Sequence, residues 1–199
     1  DNAFVAVVAI GMTFVILTGG IDLSVGSIVA LTTMVTASLV EQHHWSIWAV
    51  VPLVLTMGAL FGLLMGSLIQ HFRMQPFIVT LGGMFLARGL CYVISVDSIS
   101  INGPTFTALS EFRVPLGSET FVSVSGVVAL GVLLFGVYIG HFTRFGRTVY
   151  AIGGNERSAM LMGLPVTRTK IQVYMLSGFC SALGGVLVML YMLSGYGLH

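Results

Sequence analysis

Apolar residues run along this chain in stretches long enough to cross a bilayer, interrupted by short polar strings. A hydrocarbon core of roughly 30 Å takes about 20 residues of helix, and counting charge-free stretches against that length predicts about six spans. Between residues 2 and 40 the single charge is Asp22, and the string TGGIDLSVGS around it divides the run into helices over roughly 3–18 and 24–40. A third helix is expected near 46–69, closed by QHFRMQP, and a fourth over 76–96. The segment 97–120 holds Asp97, Asn102, Gly103, Pro104, Glu111, Arg113 and Glu119, too polar for a span, and reads as a loop with room for a short surface helix. A fifth helix over 121–142 and a sixth over about 171–193 flank the charged segment 143–170. The pattern predicts an all-α, polytopic transmembrane helical bundle forming one domain over 1–199. The chain opens abruptly in an apolar run, and truncation at both ends is expected.

Composition narrows the class further. Only 8% of the 199 residues are charged, against about 25% in soluble domains, while 56% are hydrophobic and mean hydropathy is +1.01. A water-soluble globule of this size could not bury that much apolar side chain, so membrane lipid is expected to solvate the excess. Disorder needs the opposite balance. A net charge of +1 does not describe a nucleic-acid binder. The placement of the cations says more: Arg144, Arg147, Arg157, Arg168 and Lys170 crowd 143–170, whereas the stretches 41–45 and 97–120 share Arg113 alone. By the positive-inside rule 143–170 is cytoplasmic. Alternation then puts Arg73 on the same side and leaves 41–45, 97–120 and both chain ends outside. Cys91 and Cys180 lie within apolar runs and are expected to be buried small hydrophobes rather than a disulfide or metal ligands.

Candidate chemistry is sparse. No zinc-ligand spacing, nucleophile elbow or phosphate-binding glycine loop occurs, so no catalytic or metal-binding residue is assigned. Gly58, Gly62 and Gly66, and likewise Ser177, Ser181 and Gly185, recur every four residues and predict close helix packing, within the chain before between subunits. Asp22 is an ionisable group in a long apolar region. Gly19 and Gly20 are expected to end the helix before it, and Asp22 or Ser24 to cap the one after; a role for Gly20, Asp22 and Ser24 in a gate or solute path is the alternative. Arg88, inside the fourth span, requires a partner, a cavity or an interface; structural pairing, with Asp22 on another helix as a candidate partner, is the first reading, and a place with Gly20, Asp22 and Ser24 in the gate or solute path is the alternative. Within 143–170, Gly153 and Gly154 predict a turn, Asn155 an N-cap, 156–162 a helix of about two turns, Gly163 its C′ position, and Pro165 a stop. A short helix so capped between two spans suits docking into a groove on a soluble partner; a connector resting on lipid headgroups is the simpler alternative.

The strings GMTFVILTGGIDLSVGS (11–27), QPFIVTLGGMFLARGL (75–90) and GRTVYAIGGNERSAMLMGLPVTRTKIQVYMLSG (146–178) resemble the membrane permeases of bacterial ABC-type sugar importers of the ribose, xylose and galactose group. DNAF at 1–4 and SISIN at 98–102 are most similar to a permease of the galactofuranose-type importers. The resemblance implies a single transmembrane permease domain of the bacterial inner membrane. Its implied partners are a second permease copy or paralogue, a cytoplasmic ABC ATPase that binds ATP and magnesium, and a periplasmic sugar-binding protein; this chain would hold no cofactor. It also implies that Asn155, Glu156, Ala159, Met162 and Gly163 belong to the coupling helix that sits on the ATPase, and that Gly20, Asp22, Leu23 and Ser24 belong to a GGIDLS signature. The expected function is ATP-driven import of a monosaccharide by alternating access. An ion-coupled secondary transporter or a purely structural membrane subunit are the competing readings.

Overall fold

A computed structural model describes residues 2–100, 113–115, 121–192 and 194–195. Its helices are α1 (Ala3–Leu17), α2 (Val25–Ala37), α3 (Ile47–His71), α4 (Pro76–Ile94), α5 (Val124–Phe142), α6 (Arg144–Gly154), α7 (Glu156–Leu161) and α8 (Val166–Met192). One π-helical segment, Ser38–Gln42, prolongs α2. Five of these helices are long and apolar enough to cross a membrane: α2 with its π extension, α3, α4, α5 and α8. The expected first span is 15 residues long, about 22 Å of helix, and falls short of that length on its own. The expected loop asparagine, glycine, proline and glutamates at 102–104, 111 and 119 lie outside the described residues. Near them β2 (Arg113–Pro115) pairs antiparallel with β3 (Phe121–Ser123), while β1 (Ile99–Ser100) pairs with β4 (Ser194–Gly195), joining the chain after α4 to the chain after α8.

Helix α8 is the axis of the bundle. Along its most apolar stretch 72% of the residues are buried, against 11% for α5 at the periphery. Small residues make this central position possible. A side chain at Gly58 would meet the Gly178 carbonyl oxygen at 2.6 Å, and one at Gly62 would overlap the backbone of Tyr174, so α3 and α8 run antiparallel at backbone contact. The second stripe faces the other way. Gly185 packs against Thr32 and Val29 of α2, and Ser177 and Cys180 pack against Gly11 of α1. Both stripes therefore serve packing within the chain, as membrane helices require when lipid is as apolar as they are. Cys91 and Cys180 are free and buried.

Gly62→Leu is expected to destabilise the bundle by about 1–3 kcal/mol, because the group it strikes is backbone and cannot turn aside. A drop in the thermal unfolding midpoint of the purified chain, larger than that for Gly82→Leu, checks it; Gly82 has open space where a side chain would stand. Topology can be tested as directly. In a background free of Cys91 and Cys180, cysteine substituted at exposed Ser46, just before α3, should react with an impermeant thiol reagent from outside intact cells, and at exposed Thr167 it should not.

Candidate functional site

The break between α1 and α2 is built from local rules. Helix α1 ends on a left-handed glycine, Gly19, with φ of 72°. Gly19 N–H donates to the Ile16 carbonyl at 2.9 Å and Gly20 N–H to the Val15 carbonyl at 3.0 Å, the paired bonds of a Schellman stop. Gly20 has a second constraint: a side chain there would stand 2.7 Å from the Tyr174 hydroxyl. The chain then turns on Asp22, whose Oδ1 accepts from Ser24 N–H at 3.0 Å and from the Ser24 hydroxyl at 2.6 Å.

This differs from the expected cap. Ser24 occupies the N-cap position of α2, but no side chain there bonds the free amides of the first turn. The Ser24 hydroxyl is turned back to the carboxylate, and Asp22 closes an Asx turn upstream of the helix. The other oxygen of Asp22 reaches across the bundle, where Oδ2 accepts from the Ser177 hydroxyl of α8 at 2.8 Å. One turn away on α8 the Tyr174 hydroxyl donates to the Ile21 carbonyl at 3.3 Å. Asp22 is 1% exposed, so three donors and the nearby N-terminus of α2 replace water around it.

Arg88 takes no part in this cluster. The buried face of α4 is formed by Val79, Thr80, Gly83, Ala87 and Cys91, and Arg88 projects beside it, exposed. Among the described residues it forms no ion pair, and the contact with Asp22 that the sequence left open is not made.

The segment 143–170 is more helical than its composition suggested. Instead of turning at Gly153 and Gly154, it forms α6 through both residues. Thr148, Val149 and Ile152 are buried along one face, Arg144, Arg147 and Tyr150 lie exposed on the other, and the Thr143 hydroxyl caps the first turn. Gly153 is needed within the helix, because a side chain there would strike the Leu17 carbonyl at the end of α1. The last span also starts earlier than 171. Val166 begins α8, so Arg168 and Lys170 belong to its first turns rather than to a loop.

Between them stands α7, capped as its sequence predicts. Asn155 Oδ1 accepts from Ser158 N–H at 2.9 Å. Gly163 is left-handed at φ 76°, and bonds from Gly163 N–H to the Met160 carbonyl and from Leu164 N–H to the Ala159 carbonyl close a second Schellman stop. Ala159, 2% exposed, packs with Ile152 and Val166 in a small core beneath the helix. It is thus the foot of α7 and not part of its outer surface. That surface carries Met160, Leu161 and Met162, which are 58%, 84% and 76% exposed. Met160 and Leu161 were not among the residues singled out from sequence, although their neighbour Met162 was. Glu156 is tied down as well, its Oε2 accepting from Lys170 Nζ at 2.7 Å.

Lys170, Tyr174 and Ser177 follow one another at helical spacing along one side of α8. A single rigid helix therefore carries the bond to α7 at one end of this line and the bonds to the α1–α2 break at the other, about 10 Å apart along its axis.

A family model described as the branched-chain amino acid transport system / permease component matches residues 2–196. The chain belongs to that family. Among curated relatives, the Escherichia coli inner membrane ABC transporter permease protein YjfF is 46% identical over 200 residues, covering all of this chain and 60% of the relative. The Bifidobacterium longum fructose import permease protein FruG is 45% identical and the Escherichia coli ribose import permease protein RbsC 42% identical. These alignments cover 94% and 92% of the chain and 56% of each relative. The chain thus spans little more than half the length of the curated relatives it matches. No solved structure matches it.

The cap expected from Asn155 gives this family member a local test. Asn155→Ala should cost about 1 kcal/mol and loosen α7, while Asn155→Asp keeps an acceptor for Ser158 N–H and should cost far less. Protease nicking between 155 and 165 reads the difference.

Proposed function

We propose that this chain forms the membrane-spanning permease of an ATP-driven importer of a monosaccharide in the bacterial inner membrane. The observation that carries the reading is the capped helix α7, which holds three apolar side chains clear of the bundle, in a chain whose family is one of permease components. The family description names branched-chain amino acids, whereas two of the relatives at 42–45% identity are named for import of fructose and ribose. The narrower kinship points to a sugar, and the strings DNAF and SISIN make a galactofuranose-type ligand the first to try.

In this reading a cytoplasmic ATPase binds ATP and magnesium and receives α7 in a groove; Met160, Leu161 and Met162 fill it, while Asn155, Glu156, Ala159 and Gly163 hold the helix in shape. Motion of α7 passes through Glu156 and Lys170 to α8, and through Ser177 and Tyr174 to the break at Gly20, Asp22 and Ser24, the proposed gate. Arg88, exposed on α4, faces lipid headgroups, a second permease copy or paralogue, or the solute path between them. A periplasmic binding protein delivers the sugar. The permease itself catalyses no reaction.

Uptake of labelled sugar into vesicles holding the permease, with and without the ATPase, tests the proposal. Uptake that requires both ATP and the ATPase is expected. Uptake that follows an ion gradient without ATP would establish the ion-coupled alternative instead.

A further inference from the structure

A cleft of about 560 Å³ opens between the start of α6 and the start of α8. Arg144, Arg147 and Arg168 line it. All three are exposed, and none is in an ion pair among the described residues. Three unneutralised guanidiniums on one cleft repel one another, and nothing in the lining offsets them, since it contains no carboxylate. The described acids are engaged or distant: Asp22 is enclosed in the bundle and Glu156 is held by Lys170, while Glu41 and Asp97 lie near the opposite ends of α2 and α4.

The depth of the cleft is set by the spans. Arg144 follows the last residue of α5 by two positions, Arg147 stands one helical turn further on, and Arg168 lies in the first turn of α8. The ends of membrane helices are where hydrocarbon gives way to headgroups. Beside the arginines the cleft has an apolar patch of Phe145, Leu164 and Pro165, with Thr148, Thr169 and Gln172 adding uncharged polar groups to the lining, and exposed Phe142 adjoins it in sequence. Guanidinium forks match phosphate oxygens bidentately, and an apolar patch suits the glycerol and first acyl carbons that follow the phosphate.

We propose that this cleft is a binding site for the phosphate of an anionic phospholipid of the cytoplasmic leaflet, held by Arg144, Arg147 and Arg168. The site is separate from the apolar tip of α7. Lipid bound there braces α6 against α8, the two helices that flank α7 in the chain, and so steadies the base on which α7 stands.

The test uses the purified full chain in zwitterionic nanodiscs doped with spin-labelled phosphatidylglycerol, and measures the fraction of motionally restricted label. Each arginine near an anionic headgroup contributes about fivefold in affinity, so R147Q and R168Q singly should weaken retention about fivefold, and R144Q/R147Q/R168Q on the order of a hundredfold. Helix content and elution volume identify any variant that fails to fold, and the single variants carry the test if the triple one does. Millimolar inorganic phosphate should leave the lipid in place. Displacement by phosphate would reassign the cleft to a soluble anion and overturn the proposal. Equal retention by wild type and variants would overturn it too, and if the same variants lost co-purifying ATPase, the arginines would belong to a protein interface instead.

Discussion

Leu161→Asp is expected to abolish ATP-driven uptake while the permease remains folded in the membrane. Leu161 is 84% exposed at the end of α7, outside the small core of Ile152, Ala159 and Val166, so a carboxylate there meets water in the isolated chain. Docked in an apolar groove it would be stripped of that water. Burial of a leucine contributes about 1.5–3 kcal/mol, and an unpaired charge in its place adds several more, so affinity for the ATPase should fall by a factor of about 1,000 or greater. Met162→Asp should act in the same direction. Ala159→Asp makes the contrast: Ala159 is 2% exposed, and a charge in that core should unravel α7 itself, with loss of protease resistance as well as of ATPase binding. Co-purification of the ATPase and protease sensitivity, measured on the same variants, separate a lost contact from a lost helix.

Asp22→Ala is the second large effect. The carboxylate accepts from Ser24 N–H, from the Ser24 hydroxyl and from the Ser177 hydroxyl, and alanine strands all three donors in the interior. Unsatisfied buried groups cost about 1–3 kcal/mol each, so a loss on the order of 4 kcal/mol is expected, with uptake falling more than tenfold. Asp22→Asn keeps an oxygen for the Ser24 pair and presents an amide to the Ser177 hydroxyl, which can turn to accept. Its cost should be about 1–2 kcal/mol. Thermal unfolding in detergent orders the three proteins, and a double-mutant cycle between Asp22→Asn and Ser177→Ala isolates the bond across the bundle. Equal stability of the alanine and asparagine variants would show that the three donors do not depend on the carboxylate.

How much of this was legible in the sequence follows from the range of the interactions involved. Helix α7 was readable because its limits are local: Asn155 bonds a group three residues on, and Gly163 stops the helix through its own φ. The Gly58, Gly62 and Gly66 stripe was readable for the same reason, since period alone places small residues on one side of α3. Where tertiary contacts override local preference, the reading failed. Gly153 and Gly154 look like a turn, yet they continue α6 because the absence of a side chain at Gly153 lets the helix lie against the Leu17 carbonyl. The polar string Thr167–Lys170 looks like loop, yet it forms the first turns of α8, where Val166 and Thr169 are buried against the bundle and Lys170 bonds Glu156. The partner of Asp22 was out of reach altogether. Ser177 lies 155 residues away, and in the sequence it stood out only as a small residue fit for close packing.

The proposed contact between α7 and an ATPase can be measured most directly by cross-linking from the exposed tip. With Cys91 and Cys180 replaced by alanine, Leu161→Cys should form a covalent adduct with the ATPase through a short thiol-reactive photo-cross-linker in assembled membranes, whereas Thr13→Cys, an exposed position on α1, should not. An adduct at both positions, or at neither while ATP-driven uptake persists, would contradict the account.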